Sequence, residues 1–319
     1  MIIVTGGAGF IGSNIVKALN DRGRKDILIV DNLGKTEKYK NLIGLKFMDY
    51  VQREDFLRFV ADDELDAGEI EVIFHDGACS DTMEYDVNYM MKLNYEYSKE
   101  LFHYCADNEI EFIYASSAST YGDGENGFRE IETCESALNP YAFSKLLFDR
   151  YVRQNLYEVE SKVIGLRYFN VFGPQEFHKG RMASIALQMY NQIKKSGVIK
   201  LFKGTDGYLD GEQRRDFIYV KDVAKVNLWC FENEIASGVY NCGTGNATTF
   251  NAVAQAVISA LGKGEIEYID FPKELEGKYQ SFTQADTRKI LSAGYDGGFT
   301  DINDAVQEYC KFLNEGGYY

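Results

Sequence analysis

Residues 1–12 read MIIVTGGAGFIG, a short apolar run that leads into glycines at every third position. The β-branched run 2–4 is typical of a buried strand, and the apolar residues after the glycines recur at helical spacing. Glycines between a strand and a helix permit a tight turn, let the backbone approach a pyrophosphate and allow the helix to pack closely. Gly6, Gly9 and Gly12 therefore predict a strand–turn–helix unit that binds a dinucleotide.

Apolar runs alternate with helix-like stretches over roughly the first 170 residues. Further strands are predicted at 27–30, 72–74, 112–115 and 163–166, and helices at 88–106 and 141–155. Continuous apolar runs are typical of parallel strands that helices cover on both faces. The pattern predicts an α/β fold, a Rossmann-type doubly wound parallel sheet.

The alternation ends near Asn170, where the loops become rich in glycine. We expect a dinucleotide-binding domain formed by 1–169 plus about 216–242, and a smaller interleaved C-terminal substrate-binding domain formed by 170–215 and 243–319. The apolar segment 217–220 could rejoin the main sheet.

Composition and charge exclude several classes of partner. The chain has 319 residues and a formal net charge of −15, so its field would repel nucleic acid and anionic lipid. Its six cysteines show no metal-ligand spacing and indicate reduced thiols. Without a signal-peptide pattern or a run of about 18 apolar residues, we expect a cytoplasmic protein with no membrane span and no bound metal.

The end of the second predicted strand gives two indications about the dinucleotide. Asp31 could accept hydrogen bonds from the adenosine ribose, which favours NAD. Lys35, Lys38, Lys40 and Arg53 follow and could hold a 2′-phosphate, which favours NADP. The residues alone leave both cofactors open.

The sequence contains three Tyr-x-x-x-Lys pairs, and position selects Tyr141/Lys145 among them. This pair follows a proline that can open a helix, so Lys145 lies one turn from the tyrosine on the same face. A serine-rich strand end that includes Ser117 lies upstream. We expect the lysine charge to lower the pKa of the phenol and Ser117 to bind the same substrate oxygen, as alcohol–carbonyl redox chemistry requires.

Several longer motifs resemble those of the extended short-chain dehydrogenase/reductase family of nucleotide-sugar enzymes. They are TGGAGFIGSN at 5–14, YASSASTYG at 114–122, PYAFSK at 140–145, RYFNVFGP at 167–174, RRDFIYVKDV at 214–223 and YNCGTG at 240–245. A closer likeness, to the nucleotide-heptose epimerases of that family, rests on VDNL at 30–33, HDGACSDT at 75–82, YMMKLNYEYSKELFHYC at 89–105, FGPQEFHKGRMAS at 172–184 and KYQSFTQAD at 278–286.

The resemblance implies a reaction and a setting. Bound NADP, with NAD as the alternative, would oxidise the exocyclic C6″ of an ADP-heptose, and the same hydride would return to the other face. Tyr141 and a second base, Lys179, would share the proton transfers. The product would serve lipopolysaccharide synthesis in a Gram-negative bacterium, and the enzyme would be a homo-oligomer, typically a pentamer.

The resemblance also implies which residues contact the ligands. Besides the motif glycines, those at the cofactor would be Phe10, Ile11, Asp31, Asn32, Lys38, Arg53, Asp76, Gly77, Ala78, Cys79, Ser80, Asn94, Lys145, Val171 and Lys179. Those at the ADP-sugar would be Ser117, Asn170, Arg181, Gln188, Phe202, Lys203, Gly204, Thr205, Arg215 and Tyr279. Arg215 also has a physical reason, because a guanidinium binds a pyrophosphate in bidentate fashion.

The chain departs from the family pattern in places, and other functions are conceivable. Residues 205–213 form a longer loop, Arg181 and Gln188 differ from the expected residues, and Arg53 stands where a lysine is expected. A UDP-hexose 4-epimerase would share Tyr141 but would need no lysine at 179. A non-catalytic NADP-sensing protein on the same fold would usually have lost that tyrosine. Dehydration is disfavoured because Ala118 and Ser119, rather than an Asp-Glu pair, follow Ser117.

Overall fold

The computed structural model describes residues 1–272 and 280–319. The predicted first unit is present: β1 spans Ile2–Thr5, α1 Phe10–Asp21 and β2 Ile27–Asp31. The turn after β1 depends on Gly6, which has φ +69°. Gly6 also lies close to the backbone of Asp76, so a Cβ at this position would come within 2.7 Å of that backbone. Only glycine fits such a position.

A seven-stranded sheet forms the centre of the molecule. It continues with β3 Asp49–Gln52, β4 Val72–His75, β5 Glu111–Ser117, β6 Val163–Tyr168 and β10 Gly238–Cys242. The strand order is β10-β6-β5-β4-β1-β2-β3, and every pairing in it is parallel. The predicted doubly wound parallel sheet is therefore confirmed. The order reverses between β1 and β4, where a crevice opens at the carboxyl ends of the strands.

Helices cover both faces of this sheet. On one face α1 packs against α7, which spans Val220–Glu232, and on the other lie α2 Arg53–Ala61, α4 Tyr97–Asp107 and α5 Pro140–Asn155. α4 continues from α3, Val87–Met90, through a π-helical segment at Met91–Glu96. Among the described residues no helix combines the length and apolar character needed to cross a bilayer.

Most of the remaining elements form a smaller lobe with its own apolar core. Its strands are β7 Asn170–Phe172, β8 Val198–Phe202, β9 Arg214–Tyr219, β11 Ala247–Thr249 and β12 Glu265–Ile269. Its helices are α6 Ile185–Ser196, α8 Phe250–Leu261 and α10 Ile302–Asn314. The short helix α9, Arg288–Ser292, instead packs beside β10 and adds Ile290 to the core of the main sheet. The split into two domains at the stated residues stays a prediction.

The prediction that 217–220 could rejoin the main sheet is wrong. The strand containing it, β9, pairs instead with β7 and β11 in a separate three-stranded sheet. α7 follows β9 without a loop and crosses the sheet face against α1, so the strand after α7 is the one placed to extend the sheet. That strand is β10, which pairs with β6.

A buried ionic network fixes α5 against the ends of β5 and β6. Arg167 Nε lies 2.8 Å from Asp149 Oδ2, and its Nη2 lies 2.5 Å from Glu135 Oε1. Asp149 also accepts hydrogen bonds from Ser116 and Tyr114, at 2.8 and 3.0 Å. The network therefore sets the rotation of the helix that carries Tyr141 and Lys145.

We expect Asp149→Ala to lower the free energy of unfolding by about 3–5 kcal/mol, because it leaves the Arg167 guanidinium buried beside an incomplete set of acceptors. Urea denaturation measures the change. The matched control is Arg22→Ala, which removes a half-exposed pair with Glu232 and should cost at most about 1 kcal/mol. Equal losses in the two variants would show that the network does not stabilise the fold.

Candidate active site

A cleft of about 1050 Å³ runs from the carboxyl ends of β1, β2 and β4 to the smaller lobe. The predicted residues that line it are Gly6, Gly9, Phe10, Ile11, Gly12, Asp31, Asn32, Lys38, Arg53, Asp76, Gly77, Ala78, Cys79, Ser80, Ser117, Tyr141, Lys145, Asn170, Val171, Lys179, Gln188, Phe202 and Arg215. The fold thus brings together most of the residues that the sequence singles out.

The glycine turn and the end of β2 form the cleft's first part. Asp31 is buried; its Oδ2 accepts a hydrogen bond from the Ala8 N–H at 2.9 Å, and its Oδ1 lies 2.6 Å from Lys38 Nζ. The side chain of Arg53 lines the same part of the cleft and forms an ion pair with Glu54. Lys38 and Arg53 could bind a phosphate in this part of the cleft, and the Asp31 carboxylate could bind a ribose. Both kinds of contact are typical of dinucleotide sites.

Asp76 lies on the floor of the cleft beside the glycine turn. Its Oδ1 is shielded from solvent and has no hydrogen-bond partner among the described residues. Burial raises the pKa of this carboxyl to about 7, against the opposing effects of the Lys145 charge and the Tyr168 hydroxyl. These features fit a bound polar cofactor.

Lys145 and Tyr141 project from the first turns of α5 into the cleft. Asn139 caps this helix by accepting a hydrogen bond from Ala142 N at 2.8 Å, and Pro140 occupies its first turn. Lys145 Nζ donates to the Ala115 carbonyl at 2.7 Å, and burial lowers its pKa to about 8. The ammonium is thus held at the end of β5.

The predicted lowering of the Tyr141 pKa is not what the structure shows. Burial raises it, partly opposed by a hydrogen bond with Ser117, and Lys145 does not contribute. The physical reason is that desolvation disfavours the phenolate while the ammonium is bonded to a backbone carbonyl. Tyr141 is therefore held in its protonated form, beside the serine that the sequence pairs with it.

Lys179 approaches the cleft from the smaller lobe, in a short helical turn at Phe177–Met182. Its Nζ lies 5.5 Å from the centre of the Phe10 ring. Burial lowers the pKa of this lysine, and the charge of Glu176 opposes the shift. Tyr141 is thus shifted toward its protonated form and Lys179 toward its neutral form, in one cleft.

Glu176 anchors the turn that carries Lys179. This fully buried carboxylate accepts hydrogen bonds from the Ser184 N–H and hydroxyl, at 2.5 and 2.6 Å, from the Tyr309 hydroxyl at 2.9 Å and from Gly173 N at 3.3 Å. The loop between β7 and α6 is therefore closed on itself and tied to α10.

The smaller lobe adds a basic and aromatic wall. Arg215 lies on β9, largely buried, with its guanidinium 6.0 Å from the Phe250 ring. Phe217 meets Phe250 edge to face at 5.7 Å, and both line the cleft with Phe202. Asp216, next to Arg215, instead accepts hydrogen bonds from the backbone N–H groups of 244, 245 and 285.

Several predicted contact residues do not line the cleft. Asn94 is fully buried, and its amide is engaged with the backbone N–H and C=O of Cys79, at 2.8 and 2.9 Å, so it shapes the loop instead of facing a ligand. Arg181 points to solvent, 68% exposed, and pairs with Asp81. Tyr279 lies outside the described residues.

The loop after β8 also turns away from the cleft. Lys203 pairs with Asp270 at 2.7 Å, Gly204 N donates to Asp210 at 2.8 Å, and Tyr208 N donates to Thr205 O at 3.0 Å. The bonds of Gly204 and Tyr208 fold the loop on itself, and the Lys203 pair ties it to the end of β12.

Other cleft residues were not identified from the sequence. They include Thr36, Asp81, Thr82, Tyr89, Tyr97, Tyr168, Glu176, His178, Ser184 and Phe250. His178 and Glu176 lie within the motif at 172–184, so they could have been identified from the sequence. Phe250 lies in no motif, and only the fold brings it to the cleft. Among the described residues no group of three or more His, Cys, Asp or Glu side chains could hold a metal ion.

The raised pKa of Asp76 predicts a pH-dependent stability. Its folded-state pKa of about 7 lies above the ordinary value of 3.8, so the folded state binds the extra proton and the contribution to stability is lost as pH rises between these values. Asp76→Asn cannot lose a proton at this position, so this loss should disappear. The melting temperature of the variant minus that of the wild type should therefore increase between pH 5 and pH 8. Asp123→Asn, at an exposed position, should follow the wild type. Parallel curves for wild type and Asp76→Asn would contradict the assignment.

The comparisons with known proteins agree with this geometry. An ADP-L-glycero-D-manno-heptose-6-epimerase of Brachyspira hyodysenteriae is 54% identical over 321 residues, covering 100% of this chain and 99% of that relative. The Helicobacter pylori ADP-L-glycero-D-manno-heptose-6-epimerase superposes with a TM-score of 0.83 at 31% identity, over 98% of this chain and 96% of the other. A Thermus thermophilus UDP-glucose 4-epimerase in complex with NAD superposes with a TM-score of 0.78 at 25% identity, covering 99% of both.

The model of one protein family matches residues 2–243, the greater part of the chain. The resemblance inferred from the motifs is confirmed, since the matched stretch includes the glycine turn, Tyr141, Lys145, Lys179 and Arg215. The chain belongs to the NAD dependent epimerase/dehydratase family.

Proposed function

We propose that this chain is an isomerase that converts ADP-D-glycero-D-manno-heptose to ADP-L-glycero-D-manno-heptose by inversion at C6″. One observation carries the proposal: Tyr141 and Lys179, from opposite lobes, line the same cleft in a chain 54% identical to a heptose epimerase over its whole length. A 4-epimerase that turns the whole hexose in its site needs no second base at this position.

Inversion at an exocyclic carbon, with the rest of the sugar held in place, calls for two proton partners. The carbonyl must present opposite faces to a fixed redox group, so its oxygen occupies two different places. Tyr141 on α5 and Ser117 at the end of β5 line the cleft, and so does Lys179 from the turn at Phe177–Met182. We assign Tyr141 to one orientation of the substrate and Lys179 to the other.

The directions of the two pKa shifts suit a base and an acid. Burial lowers the pKa of Lys179, which favours this residue as the acceptor of the C6″ hydroxyl proton as the carbon is oxidised. Burial raises the pKa of Tyr141, which favours this residue as the donor of a proton to the oxygen as the inverted alcohol forms. In the reverse direction the two residues exchange roles. A nicotinamide bound at the glycine turn would supply the hydride acceptor and donor for C6″.

Several residues hold ligands instead of moving protons. Arg215 supplies a guanidinium for the pyrophosphate of the nucleotide sugar, and the aromatic wall that includes Phe250 and Phe202 supplies apolar faces for its base. Asn170 and Gln188 add amide groups near the sugar end. Lys145, held at the end of β5 by the Ala115 carbonyl, would donate to the cofactor's ribose hydroxyls.

A nicotinamide cofactor fits the glycine turn, and we assign NADP to it, with NAD as the alternative. Asp31 is already paired with Lys38, so its negative charge is partly compensated where a 2′-phosphate would lie. Arg53 lines the same part of the cleft. This combination favours a phosphate more than an isolated carboxylate would.

The double substitution Lys38→Ala/Arg53→Ala tests this assignment. We expect the dissociation constant for NADP to rise about a hundredfold or more, because each of the two charged hydrogen bonds contributes about 1.5–3 kcal/mol. The constant for NAD should change much less. Lys35→Ala is the control, since this exposed lysine of the same segment does not line the cleft. Fluorescence titration of the protein stripped of cofactor gives both constants, and an equal loss for both cofactors would contradict the assignment.

The reaction is tested by incubating the purified protein with ADP-D-glycero-D-manno-heptose and resolving the two C6″ epimers by NMR. Tyr141→Phe and Lys179→Met should each lower kcat by about 100-fold or more, as expected on loss of a general acid or base. Lys200→Met, on β8 with a half-exposed side chain, is the control for the lysine. Failure to form the epimer together with turnover of UDP-galactose would favour the 4-epimerase instead.

The setting of the enzyme follows from its substrate. We place it in the cytoplasm, where nucleotide sugars for lipopolysaccharide are made, and its six cysteines, none of which forms a disulfide, suit a reducing compartment. We expect no nucleic-acid or membrane partner for a chain of net charge −15. We propose a homo-oligomer, a pentamer in line with the resemblance, which light scattering can test.

A further inference from the structure

Residues 309–319, which comprise the end of α10 and the segment after it, contact both the loop that carries Lys179 and α1. We call these residues the strap. We propose that the strap positions Lys179 over α1 for proton transfer. The inference rests on the proposed function, because it assigns the strap a role in that reaction.

The strap turns back on itself after α10. Gly317 N donates to Phe312 O at 3.0 Å, and Gly317 has φ +75°, a conformation that glycine adopts without strain. The Phe312 and Tyr319 rings then lie 5.4 Å apart. The turn directs Tyr318 toward the loop that carries Lys179 and Tyr319 toward α1.

The first set of contacts is with that loop. The Tyr318 ring lies 5.2 Å from the Phe177 ring, and a Cβ on Gly317 would come within 2.4 Å of the same ring. Earlier in the strap, on α10, the Tyr309 hydroxyl donates to the buried Glu176 carboxylate at 2.9 Å. Glu176 and Phe177 lie three and two residues before Lys179, so the strap contacts the start of the turn that carries this lysine.

The second set of contacts is with α1. The Tyr319 hydroxyl donates to the buried Asn14 Oδ1. The amide of Asn14 in turn donates to Phe10 O at 2.8 Å and to Pro174 O at 3.0 Å. The Tyr319 backbone also lies against Gly44, where a Cβ would come within 2.2 Å of its carbonyl oxygen.

Together these contacts form a continuous chain from the loop that carries Lys179 to α1. Tyr318 contacts Phe177 in the loop, and the next residue, Tyr319, bonds to Asn14 on α1. Asn14 bonds to the backbone of Phe10, whose ring lies 5.5 Å from Lys179 Nζ. Misplacement of a catalytic group by ~1 Å can cost ~100-fold in rate. The strap therefore contains positioning residues that act through Lys179 without touching the substrate.

The kinetic test is a double-mutant cycle. Tyr318→Ala should lower kcat about ten- to a hundredfold with little change in KM, whereas Tyr318→Phe, which keeps the ring, should keep the wild-type rate. In a Lys179→Met background, Tyr318→Ala should lower the residual rate by less than about twofold, because the group it positions is gone. Tyr157→Ala, at a tyrosine that is 81% exposed, is the control.

An unchanged kcat in Tyr318→Ala would overturn the proposal. So would an equal loss in the wild-type and Lys179→Met backgrounds, since the strap would then act on something other than Lys179. The Tyr319→Phe variant removes only the hydroxyl bonded to Asn14 and should show a smaller loss in kcat of the same kind.

Hydrogen exchange separates a failure of the strap from a failure of the proposed function. Amides of residues 175–182 should exchange about tenfold faster in Tyr318→Ala than in Tyr318→Phe, with the sheet unchanged. This result is expected even if the wild-type protein does not epimerise the heptose. Unchanged exchange at 175–182 would show that the strap does not hold this loop, and would overturn the proposal independently of any activity.

Discussion

The close approach of two backbone segments at the centre of the sheet determines where everything else lies. Gly6 sits so near Asp76 that any side chain at position 6 would collide with the backbone of the neighbouring strand end. This contact joins the ends of β1 and β4 at the point where the strand order reverses. It opens the crevice that holds the dinucleotide and places Asp76 on its floor, within electrostatic reach of Lys145.

Electrostatics adapts an acidic protein to anionic ligands. The chain carries a net charge of −15, yet Lys38, Arg53, Lys145, Lys179 and Arg215 all line one cleft. Burial then divides the two candidate proton-transfer groups, since it raises the pKa of Tyr141 and lowers that of Lys179. The same cleft can thus attract a nucleotide sugar and bring together one group suited to act as an acid and one suited to act as a base.

Local patterns allowed the first βαβ unit and the parallel sheet to be predicted, because glycine spacing and continuous apolar runs report directly on backbone geometry. Tyr141 and Ser117 could be found in the same way, from a proline-led helix and a strand end. Lys179 came from resemblance alone, since a lysine in a loop has no distinctive spacing. The pKa shift of Tyr141 was misjudged because burial depends on packing that the motif does not describe.

Other features depend on contacts between distant parts of the chain. Asn94 lies in one of the family motifs. Only the fold shows that its side-chain amide forms hydrogen bonds with the backbone of Cys79. The strand at 217–220 was expected in the main sheet, but it belongs to β9 of the three-stranded sheet. The sequence does not reveal that α7 begins directly after β9. The strap joins residues about 300 positions apart in sequence. No local pattern could indicate that contact.

In the proposed reaction, the cleft inverts C6″ by oxidation and return of the same hydride between two proton partners. To test this, ADP-heptose with deuterium at C6″ is supplied and the label is followed in the inverted product. We predict that the deuterium stays at C6″ and that no deuterium enters this carbon when unlabelled substrate turns over in D₂O. Exchange of the C6″ hydrogen with solvent would contradict it, because the hydrogen would then leave as a proton.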